Sequence, residues 1–349
     1  MKKTILFSLL AGILFCQAQE NPPNIILMIG DGMGLTQISS GMYANNNQTI
    51  LEQFPFIGLS KTHATNKLVT DSAASGTAMA TGVKTYNGVV GIDSENVSQK
   101  SILEICKEKG YTAGLIATSS IVHATPASFY ANVNSRRQYE DIALQLSEHN
   151  IDLFVGGGSK YFNQRKDGRN LIKEMSTYQF VNSLKEFKKS SAQKIGFLTH
   201  ESEPPSLMLG RKPALNQITK LSLEKMNAAG KPFFMMVESS QIDWGGHANE
   251  LKYVVSEFIE FDEAIKEVLE FAKADGNTLV IVTADHETGG LSLLDGNLKK
   301  GKVEGKFGTT SHSAAMVPVF SFGPKAELFS GIYENTALFD KMLEIVEEK

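Results

Sequence analysis

A chain of 349 residues, 42 % of them hydrophobic and 21 % charged, is long enough to bury a sizeable core. It shows no long linker, low-complexity tract or repeat, so one large domain is the economical organisation. A formal charge of −4 carries no nucleic-acid footprint.

The first segment reads as a leader. Met1-Lys2-Lys3 is basic, and the apolar run Ile5 to Phe15 is too short to span a bilayer, so residues 1–19 are expected to be a signal peptide and 20–349 one domain. Export to the periplasm or medium follows. Losing Lys2 and Lys3 takes the charge from −4 to −6. Cys16-Gln17-Ala18 offers the small residues of a cleavage site, with Cys16 as a lipid anchor the alternative that bulky Phe15 disfavours. Cys106 is then the only cysteine. It lies on the apolar face of a short helix with Ile102 and Leu103, and reads as core packing.

Six short apolar runs are expected strands: Asn24 to Ile29, Ala113 to Ala117, Asp152 to Val155, Phe233 to Val237, Thr278 to Thr283 and Val317 to Phe322. Helix-period segments alternate with them. The longest spaces Leu251, Val254, Val255, Phe258, Phe261, Ile265, Val268, Leu269 and Ala272 at intervals of one, three and four, and stops at Asp275-Gly276. Another covers Ala214 to Ala229. Continuously apolar strands between helices imply a largely parallel sheet covered on both faces, an α/β fold whose ligands bind beyond the carboxyl ends of the strands.

Those ends are unusually polar. The first strand runs into Gly30-Asp31-Gly32-Met33-Gly34, where Asp31 is either a turn residue or a ligand. The run from Phe233 leads to Glu238, an acid closing a buried strand, then to Asp243 and His247, four apart and therefore one helical turn from each other. The run from Thr278 leads to Asp285 and His286, which share a site only if the chain turns at Gly289-Gly290. His312 precedes the last strand. Mixed carboxylates and imidazoles at several strand ends suit zinc, and an oxygen-rich subset suits magnesium, so a multinuclear metal site is expected.

The stretch Val69 to Ala78 is the organising one. Asp71 and Ser72 are good helix caps, and the small residues behind them make a slim helix. A hydroxyl at a helix start, where N–H groups and the dipole favour an oxyanion, is either ordinary punctuation or a nucleophile.

Taken together, Gly30 to Gly34, Thr70 to Ala78, Gly82 to Gly88, Ala124-Thr125-Pro126-Ala127, Ser135-Arg136, Glu238 to His247, Ala284-Asp285-His286 and Ser311-His312 resemble the alkaline phosphatases of the bacterial and animal type. The pieces occur in family order over nearly the whole mature chain. The resemblance implies a three-layer sandwich with a large, mostly parallel central sheet flanked by helices. It assigns Asp243, His247 and His312 to a first zinc, and Asp31, Asp285, His286 and Ser72 to a second. Asp31 would also bridge to a magnesium held by Thr125 and Glu238, and Arg136 would clamp the substrate phosphate, with Arg137 as its fallback in the same loop. The implied reaction is hydrolysis of small phosphate monoesters through a phosphoseryl intermediate on Ser72, by a homodimer.

Two positions depart from the enterobacterial form, which has aspartate where His123 stands and lysine where Trp244 stands. Animal members place histidine at both. His123 is a poorer partner for hydrated magnesium than a carboxylate, or else a group outside the metal site. Trp244 removes a positive charge near the phosphate, or packs outside the site. Only 26 positions separate His286 from His312, so the large insertion of animal members is missing. Phe154 to Lys160 lacks P-loop spacing and reads as a turn. His63, His149 and His200 show no partner pattern, Lys185 to Lys189 reads as a solvated helix face, and Glu201 to Pro205 as a surface connection. The rival enzymes are a phosphodiesterase or sulfatase on the same fold, the latter lacking its Cys/Ser-x-Pro-x-Arg motif here. The rival of another class is an exported protein that binds phosphate or metal without turnover.

Overall fold

The computed structural model describes residues 22–347. The leader over residues 1–19, with Cys16, therefore lies outside the described residues. Strands form where Ile, Val, Leu, Met and Phe run together, because such side chains fit a pleated surface buried on both faces. In chain order they are β1 (Asn24–Gly30), β2 (Phe56–Lys61), β3 (Thr112–Ser120), β4 (Leu153–Gly157), β5 (Gln179–Phe180), β6 (Ile195–Leu198) and β7 (Phe233–Ser239). There follow β8 (Thr278–Thr283), β9 (Glu287–Thr288), β10 (Leu291–Asn297), β11 (Lys302–Phe307), β12 (His312–Ser313), β13 (Val317–Phe322) and β14 (Gly331–Glu334). All six expected strands are present. Two keep the expected bounds, and four run one to three residues further toward the carboxyl end.

Ten strands make one sheet in the order β14-β2-β13-β8-β1-β7-β3-β4-β6-β5. Only β13 runs antiparallel to its neighbours, β2 and β8. The central strands β8, β1, β7 and β3 are parallel and in register, with Ile29 opposite both Glu238 and Thr283. Their carboxyl ends therefore finish at one edge.

The helices are α1 (Leu35–Ala44), α2 (Ser72–Thr81), α3 (Ile102–Glu108), α4 (Ala124–Ala127), α5 (Tyr139–Glu148) and α6 (Lys160–Asn163). The remainder are α7 (Leu171–Glu174), α8 (Leu184–Lys189), α9 (Leu215–Ala228), α10 (Gln241–His247), α11 (Leu251–Asp275) and α12 (Ala337–Glu347). Alternation along β1 divides the core: Ile25, Leu27 and Ile29 pack with residues of α2, α3, α5 and α12, while Ile26 and Met28 pack with residues of α1, α9 and α11. Three layers result. Cys106 is buried in the first of these cores, as expected. Helix α8 buries Phe187 and leaves Lys185, Lys188 and Lys189 exposed.

The Glu201 to Pro205 connection is less free than its composition implied. The Glu203 carboxylate accepts the Ser120 N–H at 2.5 Å, and the Pro204 carbonyl accepts from Gln241 Nε2 at 3.0 Å. It thereby braces the end of β3. No helix among the described residues is long and apolar enough to cross a membrane.

Candidate active site

Helix α2 starts as the sequence reads. Asp71 is its N-cap, its Oδ1 accepting the Ala74 N–H at 3.0 Å, and Ser72 is the first helical residue. All ten residues of the helix are buried, and its small side chains let α4 approach closely enough that a Cβ on Gly76 would lie 2.8 Å from Ser128 Oγ. The Ser75 hydroxyl donates to the Asp285 carbonyl at 2.7 Å, which ties the helix to the chain leaving β8. Ser72 thus faces the strand ends.

Two ligand clusters assemble there. In the first, His247 Nε2 lies 3.3 Å and His312 Nε2 3.5 Å from Asp243 Oδ1, with 3.1 Å between the two nitrogens. Asp243 and His247 meet because α10 sets them one turn apart. In the second, His286 Nε2 is 3.2 Å from Asp285 Oδ2, 3.6 Å from Asp31 Oδ1 and 3.3 Å from Ser72 Oγ. Ligands about 2.0–2.1 Å from a tetrahedral zinc stand about 3.3–3.4 Å from one another, so both sets have the spacing of a metal's ligands. Gly289 and Gly290, at φ +94° and +56°, provide the expected turn after Asp285 and His286. Asp243, His286 and His312 also converge, so His286 stands between the two clusters.

The remaining ring nitrogens point outward to fixed acceptors. His247 Nδ1 is 2.7 Å from the Thr310 carbonyl and His312 Nδ1 2.8 Å from the Thr70 carbonyl. A carbonyl only accepts, so Nδ1 carries the proton in both rings and the Nε2 lone pairs face the site, as in metal-binding histidines. His286 does not form a hydrolase triad with Ser72 and Asp285, because both approach the same nitrogen, Nε2, whereas a triad uses opposite sides of the ring.

A third group, Asp31, His123 and Glu238, brings ligand atoms within 4.8 Å of one another. Thr125 Oγ1, Glu238 Oε1, Asp285 Oδ2 and both Asp31 carboxylate oxygens are buried without a hydrogen-bond partner. Glu238 Oε2, by contrast, accepts from the Ser240 hydroxyl at 2.7 Å. Orphaned anionic oxygens clustered this way are costly unless a cation satisfies them, and the residues fit metal ions for that reason. His123 belongs to the group rather than to the surface.

Electrostatics reinforce the point. Burial, with the charges of Asp285, Asp243 and Glu238, holds the Asp31 carboxyl well above its ordinary range. Burial pushes Asp285 up to about 6, aided by Asp243, and Glu238 up to about 7 against the Ser240 hydrogen bond. Burial would also raise Asp243, but in the metal-free site a second proton on His312, hydrogen-bonded to it, and charge on the neighbouring imidazoles outweigh burial and lower that carboxyl. Burial and Arg136 press His123 down to about 3, so its imidazole is neutral.

The clusters open into a pocket of about 400 Å³ that Thr70, Asp71, Ser72, Asn87, Arg136 and Ser311 help to line. Arg136 lines this pocket, whereas Arg137 is exposed and does not line it. Arg136 Nη1 donates to Asp71 Oδ2 at 3.1 Å, and its Nη2 is 3.3 Å from His123 Nε2. Trp244 also lines the pocket, its ring 6.3 Å from that of His123. Val69 and Trp244 are the apolar side chains of the wall. Two residues escaped the sequence reading. Asp71 was visible only as a cap, yet its second oxygen holds Arg136, and Thr288, which hydrogen-bonds Asp243, carried no signal beyond its place in the Asp285 to Gly290 stretch.

Comparisons with known proteins agree with this geometry. The alkaline phosphatase family model matches residues 23–306. Alkaline phosphatase 3 of Bacillus subtilis is 40 % identical over 294 residues, covering 79 % of this chain but 63 % of its own length, so the chain spans less than two thirds of that relative. The structure of alkaline phosphatase from the Antarctic bacterium TAB5 superimposes with a TM-score of 0.88 at 41 % identity, covering 94 % of this chain and 99 % of its own. A histidine-to-glutamate variant of the TAB5 protein, with the same TM-score of 0.88, identity and coverage, has Mg bound in its M3 site. By family match, fold and identity, the chain belongs to the alkaline phosphatase family.

Proposed function

We propose that this protein is a metal-dependent phosphomonoesterase that transfers the phosphoryl group of a small monoester to Ser72 and then to water. The observation that carries the reading is Ser72 Oγ, at the start of α2, 3.3 Å from His286 Nε2 and in the pocket that Arg136 faces. A nucleophile, a ligand cluster and an anion clamp meet at one point. Stoichiometric phosphate binding does not call for a serine among metal ligands.

The roles follow from the side chains. Asp243, His247 and His312 would hold one zinc, and Asp31, Asp285, His286 and Ser72 a second. Asp31, Glu238 and Thr125 would hold a magnesium, with His123 against it. Bound zinc supplies Lewis acidity to the serine oxygen and to water, and compensates the crowded carboxylates. The Arg136 guanidinium offers two parallel N–H groups to phosphate oxygens, and Asp71 orients it. The α2 N-terminus adds N–H groups aimed at the same charge. Magnesium in the M3 site of the TAB5 variant, where glutamate replaces histidine, supports the view that a carboxylate there favours a hard cation. Export through residues 1–19, a mature domain from residue 20 and homodimeric assembly complete the proposal.

The test is steady-state hydrolysis of an aryl phosphate monoester and the matching diester, before and after chelation and after zinc and magnesium are restored. Monoester turnover that dies with the chelator, returns with metal and far exceeds diester turnover is expected. Dominant diester turnover would move the protein to the diesterases, and zinc loading without turnover would leave it a binding protein.

A further inference from the structure

Thr288 is 1 % exposed and stands between the two ligand clusters. Its Oγ1 is 2.5 Å from Asp243 Oδ1, of the first cluster, and 3.2 Å from His286 Nδ1, of the second. Its backbone pairs with His312 through the β9–β12 ladder, its N–H donates to the Gly32 carbonyl at 3.2 Å, and its carbonyl accepts from Gln37 Nε2 at 2.8 Å. One residue therefore touches ligands delivered by α10, by the turn after β8 and by β12.

The hydrogen-bond inventory fixes the direction of this chain. A hydroxyl has one proton, and at 2.5 Å from the Asp243 carboxylate oxygen, an acceptor, Thr288 Oγ1 spends it there. Thr288 must therefore donate to Asp243 and accept from His286. That acceptance puts the His286 proton on Nδ1, leaving the Nε2 lone pair toward Asp31, Asp285 and Ser72. Two glycines keep the hydroxyl in place. A Cβ on Gly32, which has φ +74°, would lie 2.8 Å from Thr288 Oγ1, and one on Gly246 would lie 2.9 Å from Thr288 Cβ.

We propose that Thr288 is a positioning residue that couples the two clusters: its hydroxyl, lying between Asp243 Oδ1 and His286 Nδ1, presents one ligand of each cluster in metal-binding form. The inference deepens the two-zinc reading and rests on it. Outer hydrogen-bond partners of metal ligands typically affect affinity by about 10–100-fold.

The experiment uses full-length protein, wild type, Thr288→Val and Thr288→Ser, each first shown by circular dichroism to be folded. Zinc alone is titrated against a chromophoric chelator, and the His286 tautomer is read in metal-free protein from ¹⁵N shifts. Expected are an Nδ1–H tautomer in wild type, its loss in Thr288→Val together with about 10–100-fold weaker zinc binding, and recovery of both readouts in Thr288→Ser. Wild-type tautomer and zinc isotherms in Thr288→Val would overturn the proposal. A Thr288→Val variant that does not fold leaves Thr288→Ser and the wild-type tautomer to decide, and an Nε2–H wild type would overturn it. Wild-type protein that binds no zinc would overturn the metal reading itself, a failure distinct from the tautomer result.

Discussion

Replacing Arg136 by lysine keeps a positive charge in the pocket but removes the planar fork. The guanidinium is held by Asp71 Oδ2 at 3.1 Å, and the backbone N–H of the same residue donates to the Gly88 carbonyl at 2.7 Å, so the side chain meets phosphate from an anchored loop and already oriented. A lysine ammonium supplies one such bond to a phosphate oxygen where the fork supplies two. One charge-assisted hydrogen bond contributes about 1.5–3 kcal/mol, and 1.36 kcal/mol is a factor of ten, so Arg136→Lys should lower kcat/KM about 10- to 150-fold. The assay is aryl phosphate hydrolysis with inhibition by inorganic phosphate, whose Ki should rise in parallel. Arg137→Lys is the control, since that side chain is exposed, and should stay within about twofold. A loss confined to the Arg137 variant would refute the reasoning.

Ser72→Ala should lower kcat by about 10³-fold or more, as removal of a nucleophile does in other enzymes. Acid-quenched protein treated with labelled substrate should carry phosphate only when Ser72 is present. His123→Asp places a hard oxygen ligand beside Asp31 and Glu238, so magnesium should stabilise the variant more than it does wild type, the variant gaining about 2.7 kcal/mol over its metal-free form at a hundred times its Kd; thermal unfolding against magnesium concentration measures this. Burial pushes the Cys106 thiol up to about 12. A raised thiol pKa means less thiolate at a given pH, so at about pH 9, where a free cysteine is substantially ionised, folded protein should resist a thiol reagent that labels it on denaturation.

The strands and long helices were legible because the signals are local: apolar runs closed by turn residues, and the three-four spacing that ends at Gly276. The candidate ligands were legible for a related reason. Asp31, Glu238 and Asp285 sit at or just beyond the ends of apolar strands, where a charged residue has no packing role. His123 was only half legible, since nothing in its neighbours along the chain brings it to Asp31 and Glu238.

By itself, then, the sequence determined an alternating α/β chain, a serine at a capped helix start and a set of acids and histidines at strand ends. Tertiary structure alone decided which of them meet. Asp31 and Asp285 are joined by the β1–β8 pairing, and His312 reaches Asp243 through the short β9–β12 ladder. The choice of Arg136 over Arg137 depends on Asp71, 65 positions earlier, and the bridging position of Thr288 on room left by Gly32 and Gly246. The physical reason is that caps, turns and periodicity act over a few residues, whereas convergence to hydrogen-bonding distance depends on strand order and register, which the packing of the whole chain sets.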